Sequence, residues 1–220
     1  MDYMNKQKKS VGAWILTIVI FGLIIAGGIV PMLMWQNYIV GGIFLGVGLI
    51  LLIIYIAKYN KMVRYRNKVN EALSLIDIYL KNRFDLIPNL VNIVKGYAKH
   101  EKETFEETTR LRNLAVNATS EEEKLNYSNQ LVPKMKDIVM IAEDYPKLQA
   151  EKLFKSLMEQ LVDIEDHIVS ARRIYDSNVN LYNSEIEIFP NNIVSGMFGF
   201  GREKMFKIDA GETIVPSVKM

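Results

Sequence analysis

Residues 58–102, KYNKMVRYRNKVNEALSLIDIYLKNRFDLIPNLVNIVKGYAKHEK, decide how this chain folds. They begin where a long uncharged, apolar region stops, so the chain passes there from membrane to water. Apolar residues recur through them at alternating steps of four and three: Val69, Leu73, Ile76, Leu80, Ile87, Leu90, Val94 and Tyr97. That is the stripe of a long amphipathic helix in need of partner helices. Arg83 is the one stripe position that is not apolar, and Pro88 is the one residue hostile to a helix. Pro88 fits the first turn of a helix capped by Asp85, where a missing N–H costs little. It also fits a kink inside one helix, and the stripe keeps its phase across the proline, which favours the kink.

Working back, residues 11–57 contain no charged side chain. About 20 helical residues cross a hydrocarbon core of about 30 Å, so this region is long enough for two crossings. The expected crossings are 12–33 and 39–57. Pro31, Gln36 and Asn37 form the break, and Trp35 and Tyr38 are interfacial aromatics. The first apolar run exceeds the roughly 7–15 residues of a signal-peptide core and has no clear cleavage site, so it is expected to be retained. Lys6, Lys8 and Lys9 lie on one flank, Lys58, Lys61, Arg64, Arg66 and Lys68 on the other, and the turn carries no charge. The positive-inside rule then places both ends in the cytoplasm. Those five downstream cations are also candidate lipid-surface residues, each worth about 1 kcal/mol toward anionic lipid. Gly42 and Gly46 have a spacing that lets membrane helices approach closely, within the hairpin first and with a neighbouring protomer second.

Working forward, the helix is expected to continue more weakly through Phe105, Leu111, Leu114 and Ala115, ending near residues 117–119. Ser120 and Glu123 have capping-box spacing and start a new helix, Glu123 reaching back to the Ser120 backbone. Its expected apolar face is Leu125, Val132, Met135, Val139 and Ala142, with Pro133 marking a kink or a late start. The last long helix is expected from Pro146 or Lys147 to Phe189-Pro190, on the stripe Ala150, Leu153, Leu157, Leu161, Ile164, Ile168, Ala171, Tyr175, Asn178, Tyr182 and Ile186. Some 40 residues make a rod of about 60 Å, which needs an equally long partner. The fold class is therefore all-α: a basic N-terminus (1–10), a transmembrane hairpin (11–57), a long antiparallel helical bundle (58–190) and an apolar, basic tail (191–220).

Composition excludes much. The formal net charge is +2, without the basic face of a nucleic-acid binder. There is no cysteine, which removes disulfides, thiolate metal sites and cysteine nucleophiles. His100 and Glu103 have a di-iron spacing, but Glu165 and Asp166 sit too close to His167 to repeat it. No nucleophile elbow or nucleotide fingerprint occurs, so no catalytic residue, metal or cofactor is expected. Arg83 must pair or stay solvated, with Asp77, Asp85 or Glu165 as partners. Arg83, Asp85 and Glu165 are thus candidate polar residues that set the register of the bundle. Ile193, Met197, Phe198 and Phe200 form either a closing helix packed on the bundle or an exposed tail that enters lipid or docks on a neighbour.

Tyr59-Asn60, Ile76-Asp77, Arg83-Phe-Asp-Leu-Ile-Pro-Asn-Leu-Val91 and Val94-Lys-Gly-Tyr97, with His100-Glu101, resemble the LemA family of bacterial membrane-anchored helical proteins. Ala142-Glu-Asp-Tyr-Pro146, Leu161, Glu165, Ile168, Arg172, Tyr175, Tyr182-Asn183, Phe189-Pro190 and Phe198-Gly-Phe200 extend the resemblance over about 58–218. It implies a cytoplasmic antiparallel bundle, no established enzymatic activity and, from relatives associated with magnetosome formation, roles in organising membranes. Two N-terminal crossings depart from the single one usual in the family. The expected protein is a non-enzymatic inner-membrane scaffold that self-associates, with the bilayer and its anionic lipids as partner. The alternative is a membrane-anchored signalling or adaptor module that binds another protein through its bundle.

Overall fold

The structure, a computed structural model, describes residues 15, 18–19, 22–30, 38–98 and 100–206. The basic N-terminus, most of the first expected crossing, the turn at 31–37 and residues 207–220 lie outside the described residues. Among the described residues the regular structure is helical, with no strand. Residues 22–30 are helical, and six helices follow: α1 Tyr38–Tyr97, α2 Lys102–Val116, α3 Glu121–Glu143, α4 Pro146–Gln149, α5 Lys152–Glu187 and α6 Asn191–Phe198. At 60 residues, α1 is about 90 Å long. Its first third is the one described stretch long and apolar enough to cross a membrane. Ile39, Ile43, Phe44, Val47, Ile50 and Ile53 there are all exposed.

Contacts divide the chain into two compact units, Met1–Glu71 with Tyr175–Met220, and Ala72–Ile174. Both α1 and α5 contribute to each. In the first unit, residues 22–30 lie against α1. A Cβ at Gly48 would fall 2.7 Å from Ile24 Cγ2, and one at Gly28 would fall 3.0 Å from Leu45 Cγ. Among the described residues Gly42 and Gly46 do not make this approach: a Cβ on either would have none of their atoms within 4 Å. Gly41, Leu45 and Gly48 share the inward face at steps of four and three, and Gly42 and Gly46 are turned away from it. Further along, α1 meets α5 in opposite sense: Lys61 Nζ contacts Glu185 at 2.8 Å, and Asn178 Nδ2 donates to the Lys68 carbonyl at 3.2 Å. Met62, Val69, Tyr175, Val179, Tyr182, Ile186, Val194 and Phe198 are buried here.

The second unit packs α1 with α2, α3, α4 and α5 around Ile76, Leu80, Ile87, Leu90, Val94, Leu111, Leu131, Ile138, Leu148 and Ile168. Pro88 lies inside a continuous helix. Lacking an N–H, it leaves the carbonyl of Phe84, four residues earlier, without its intrahelical donor. Arg112 Nε from α2 donates to that carbonyl at 3.0 Å. Pro133 likewise lies within α3, and Arg172 donates to the side chain of Asn129, again four residues before the proline, at 2.8 Å.

Several sequence expectations need correcting. The first helix does not run on past Lys102; it ends at Tyr97, and α2 starts afresh at Lys102. Tyr97 is exposed and Ala98, the residue after α1, is buried instead, and Ala72 is buried where Leu73 is only half-buried. Ser120 Oγ accepts from the Glu123 N–H at 3.2 Å, but Glu123 reaches back to the Thr119 N–H rather than to Ser120. Pro146 opens only the four-residue α4, whose Leu148 is fully buried, and the long helix begins at Lys152. In its first turn Phe154 points inward and Leu153 outward. It ends at Glu187, two residues short of Phe189-Pro190.

Candidate functional site

The basic run begins at the last uncharged turn of α1. Lys61 pairs with Glu185, and this hydrogen bond holds its ammonium above the usual 10.5. Arg66 lies over the Phe200 ring at 5.1 Å. Lys68 lies 5.7 Å from the Tyr65 ring centre. Arg64 donates weakly to the Asn60 carbonyl, Lys58 is half-buried, and Arg64 and Lys68 are exposed. Two of the five cations are therefore turned onto the protein, and Arg64 and Lys68 face outward. Glu185 and Phe200, which hold the inward pair, lie more than a hundred residues downstream and were invisible to a count of local charge.

The tail closes the same unit. Phe198 is buried against Tyr59, ring centres 4.7 Å apart, and Tyr55 at 6.0 Å. The Tyr55 hydroxyl contacts Met197 Sδ at 4.0 Å. Ser195 Oγ donates to the Ile186 carbonyl at 2.8 Å, and Asn191 Nδ2 donates to Glu185 Oε1 at 2.6 Å. Gly199, at φ 69°, provides the left-handed residue that ends α6. Ile193 stays exposed and Phe200 is half-buried. Beyond it the chain is pinned along α5: Asn183 exchanges two 2.9 Å bonds with the Glu203 backbone, Tyr175 donates to the Lys204 carbonyl, and Asp176 accepts from the Phe206 N–H.

Arg83 sits in the core of the second unit, only 1% exposed. It is paired with Glu165 of α5 and donates to Ser128 Oγ of α3 at 2.9 Å. Burial, with nearby Arg172 second, brings its pKa down to about 10, so the group remains charged at neutral pH. Asp85 is not part of this cluster; it lies 3.8 Å from Arg112. Asp77 goes to Lys124 at 2.9 Å. Ser128 was missed by sequence reading. Its signal is a polar gap in the buried face of α3, which runs Leu125, Ser128, Leu131, Ile138, Ala142 and matches the polar gap at Arg83. The expected face through Val132, Met135 and Val139 instead lines an open apolar groove of about 170 Å³ with Leu90, Met158 and Leu161. His167 stacks on Tyr79, and no group of potential metal ligands occurs among the described residues.

The match to the LemA family model covers residues 72–220. The chain belongs to the LemA family. Its family-matched portion starts after the basic run, so the resemblance in residues 58–71 lies ahead of it. "Protein LemA" of Metamycoplasma hominis is 28% identical over 146 residues, 64% of this chain and 65% of the relative. This LemA-family chain therefore spans slightly less than two thirds of that protein. Magnetosome protein MamQ 2 of Paramagnetospirillum magneticum is 26% identical over 183 residues, 71% and 67% of the two chains. MamQ of Magnetospirillum gryphiswaldense is 25% identical over 190 residues, 73% and 70%. None of these names denotes a catalytic activity. Taken with the outward-facing apolar third of α1, they make this a membrane-associated helical protein.

Proposed function

We propose that this protein is a non-enzymatic scaffold of the bacterial inner membrane, self-associating and organising the bilayer that anchors it. One observation carries the reading: the uncharged, outward-facing first third of α1 continues without a break into the helix that bears the basic run. A continuous helix couples lipid to protein more stiffly than a linker would. The approach of Gly28 to Leu45 and of Gly48 to Ile24 supports a two-crossing hairpin, and the cations on its two flanks favour a cytoplasmic position for both ends. The opposed contacts of α1 and α5 support an antiparallel bundle. Exposed Arg64 and Lys68 suit an anionic leaflet. The Arg83–Glu165–Ser128 cluster ties α1, α5 and α3 in one register.

The test is particle size. Full-length protein extracted in mild detergent and imaged as single particles is expected to form large homo-oligomers; uniform monomers would sink the scaffold. The apolar groove beside Leu90, Met135 and Met158 favours a second reading, an adaptor that takes a partner's apolar side chains. That reading requires small particles and a stable complex in a mild pull-down.

A further inference from the structure

The turn between α5 and α6 and the first turn of α6 carry three exposed apolar side chains, Phe189 at 75%, Ile188 at 57% and Ile193 at 55% exposure. Scattered surface leucines and isoleucines need no explanation, but these three belong to one turn and the helix that follows it. Their height along α1 is set by contacts within one unit. Glu185 is level with Lys61, and α5 runs against α1 here. Three further residues advance about 4.5 Å, which brings Ile188 level with Ala57 and Lys58, the last uncharged and first charged residues of α1. From the other side, Phe198 and Met197 touch Tyr55 and Tyr59. The turn and α6 therefore straddle the point where the apolar stretch gives way to the basic run. Arg202, paired with Glu187 and 71% exposed, adds a cation at the same level.

We infer that Ile188, Phe189 and Ile193 form a wedge seated in the headgroup and upper acyl region of the cytoplasmic leaflet, beside the protein's own membrane helix. The inference rests on the proposal that residues 38–57 cross the bilayer. Lipid is the occupant because the wedge is level with the end of the exposed apolar face of α1 and with the cations Lys58 and Arg202, the arrangement of interfacial helices with an apolar face and cationic flanks. A stretch of α6 held by Phe198 and Ser195 on its inner face keeps Ile193 on the outer one.

The chain has no cysteine, so single cysteines can be placed without background. Ile188→Cys, Phe189→Cys and Ile193→Cys would carry a nitroxide in full-length protein reconstituted into vesicles of phosphatidylglycerol and phosphatidylethanolamine. Val47→Cys reports the crossing, and exposed Leu153→Cys reports water. Collisions with oxygen, which concentrates in lipid, are compared with those of a water-soluble nickel chelate. Labels at 188, 189 and 193 are expected to favour oxygen, at a depth shallower than 47, while 153 favours the chelate. If 47 favours oxygen but 188, 189 and 193 behave like 153, the wedge is overturned and the anchor stands. If 47 also behaves like 153, the anchor itself fails. Labels at 188, 189 and 193 shielded from both reagents would place a second copy there instead of lipid and overturn the wedge. Because the three native side chains are exposed, unchanged helicity of each labelled protein is expected and is checked by circular dichroism.

Discussion

Glu165 keeps 43% of its side-chain surface in water while Arg83 keeps 1%, so the two halves of one ion pair should respond differently to removal. Glu165→Gln leaves a buried guanidinium without its carboxylate. Loss of a partner from a buried pair costs about 3–5 kcal/mol, and the surviving bond to Ser128 puts this variant at the low end. Arg83→Met leaves a carboxylate that water can solvate and fills the core with apolar volume, and its main cost is the lost partner of the buried Ser128 hydroxyl, so it should be the milder of the two. Urea melts of both variants would show the asymmetry, and equal losses would refute it. A second residue-scale coupling joins Arg112 to Pro88 through the Phe84 carbonyl. Arg112→Ala orphans that buried acceptor at about 1–3 kcal/mol. In a Pro88→Ala background the new N–H serves the carbonyl, and Arg112→Ala should cost clearly less. A double-mutant cycle with no coupling would mean that Arg112 acts only through Asp85, 3.8 Å away. Arg83 stood out in the sequence as a lone charge on an apolar stripe. Arg112 did not, because an exposed-looking arginine on a short helix gives no sign that a proline elsewhere has freed a carbonyl.

Between elements, Lys124 of α3 reaches Asp77 of α1 at 2.9 Å and Glu121 at 3.2 Å. The hydrogen bond to Asp77 is the largest cause that holds its ammonium above the usual 10.5. A lysine whose folded pKa is raised adds stability that is complete below 10.5 and is lost as pH rises through the folded value. The melting temperature of the wild type should therefore fall more steeply above pH 10.5 than that of Lys124→Met, in which Arg83 and every other group still titrate. Parallel profiles would remove Lys124 from the account. At this scale the sequence was read well where period alone decides. The stripe of α1 through Ile76, Leu80, Ile87, Leu90 and Val94 is the buried one, and phase across Pro88 gave one helix rather than two. It was read poorly where two faces compete. Helix α3 carries apolar residues on adjacent stripes, and only the tertiary partners decide that Leu131 and Ile138 go in while Val132 and Met135 line a groove. Element ends failed for a related reason: Pro146 signals a helix start, but nothing local says that it lasts four residues because Leu148 must turn into the core.

At the scale of the whole chain, the end of the apolar third of α1 has a structural duty besides the proposed anchoring. Tyr55 and Tyr59 sit at its end and pack on Phe198, and Lys61 holds Glu185, which in turn accepts from Asn191 at the start of α6. Helix α6 is eight residues long, too short to persist in water by itself, so these contacts are what order it. A fragment beginning at residue 62 lacks all three of Tyr55, Tyr59 and Lys61. Its α6 should open, since an unfolding free energy for a segment falls with the buried contacts that hold it. Hydrogen exchange read by mass spectrometry is the measurement, comparing the fragment with full-length protein in mild detergent. Protection across Asn191–Phe198 should be present in the full chain and lost in the fragment. The amides of Ala72–Ile174 should exchange alike in both, because the core around Leu80, Leu131, Ile138 and Ile168 lies within that unit. Retained protection of α6 in the fragment would mean that Ser195 on the Ile186 carbonyl and Asn183 on the Glu203 backbone suffice to hold the tail. Loss of protection in both regions would mean that the second unit also depends on residues 1–61, contrary to where its buried side chains lie.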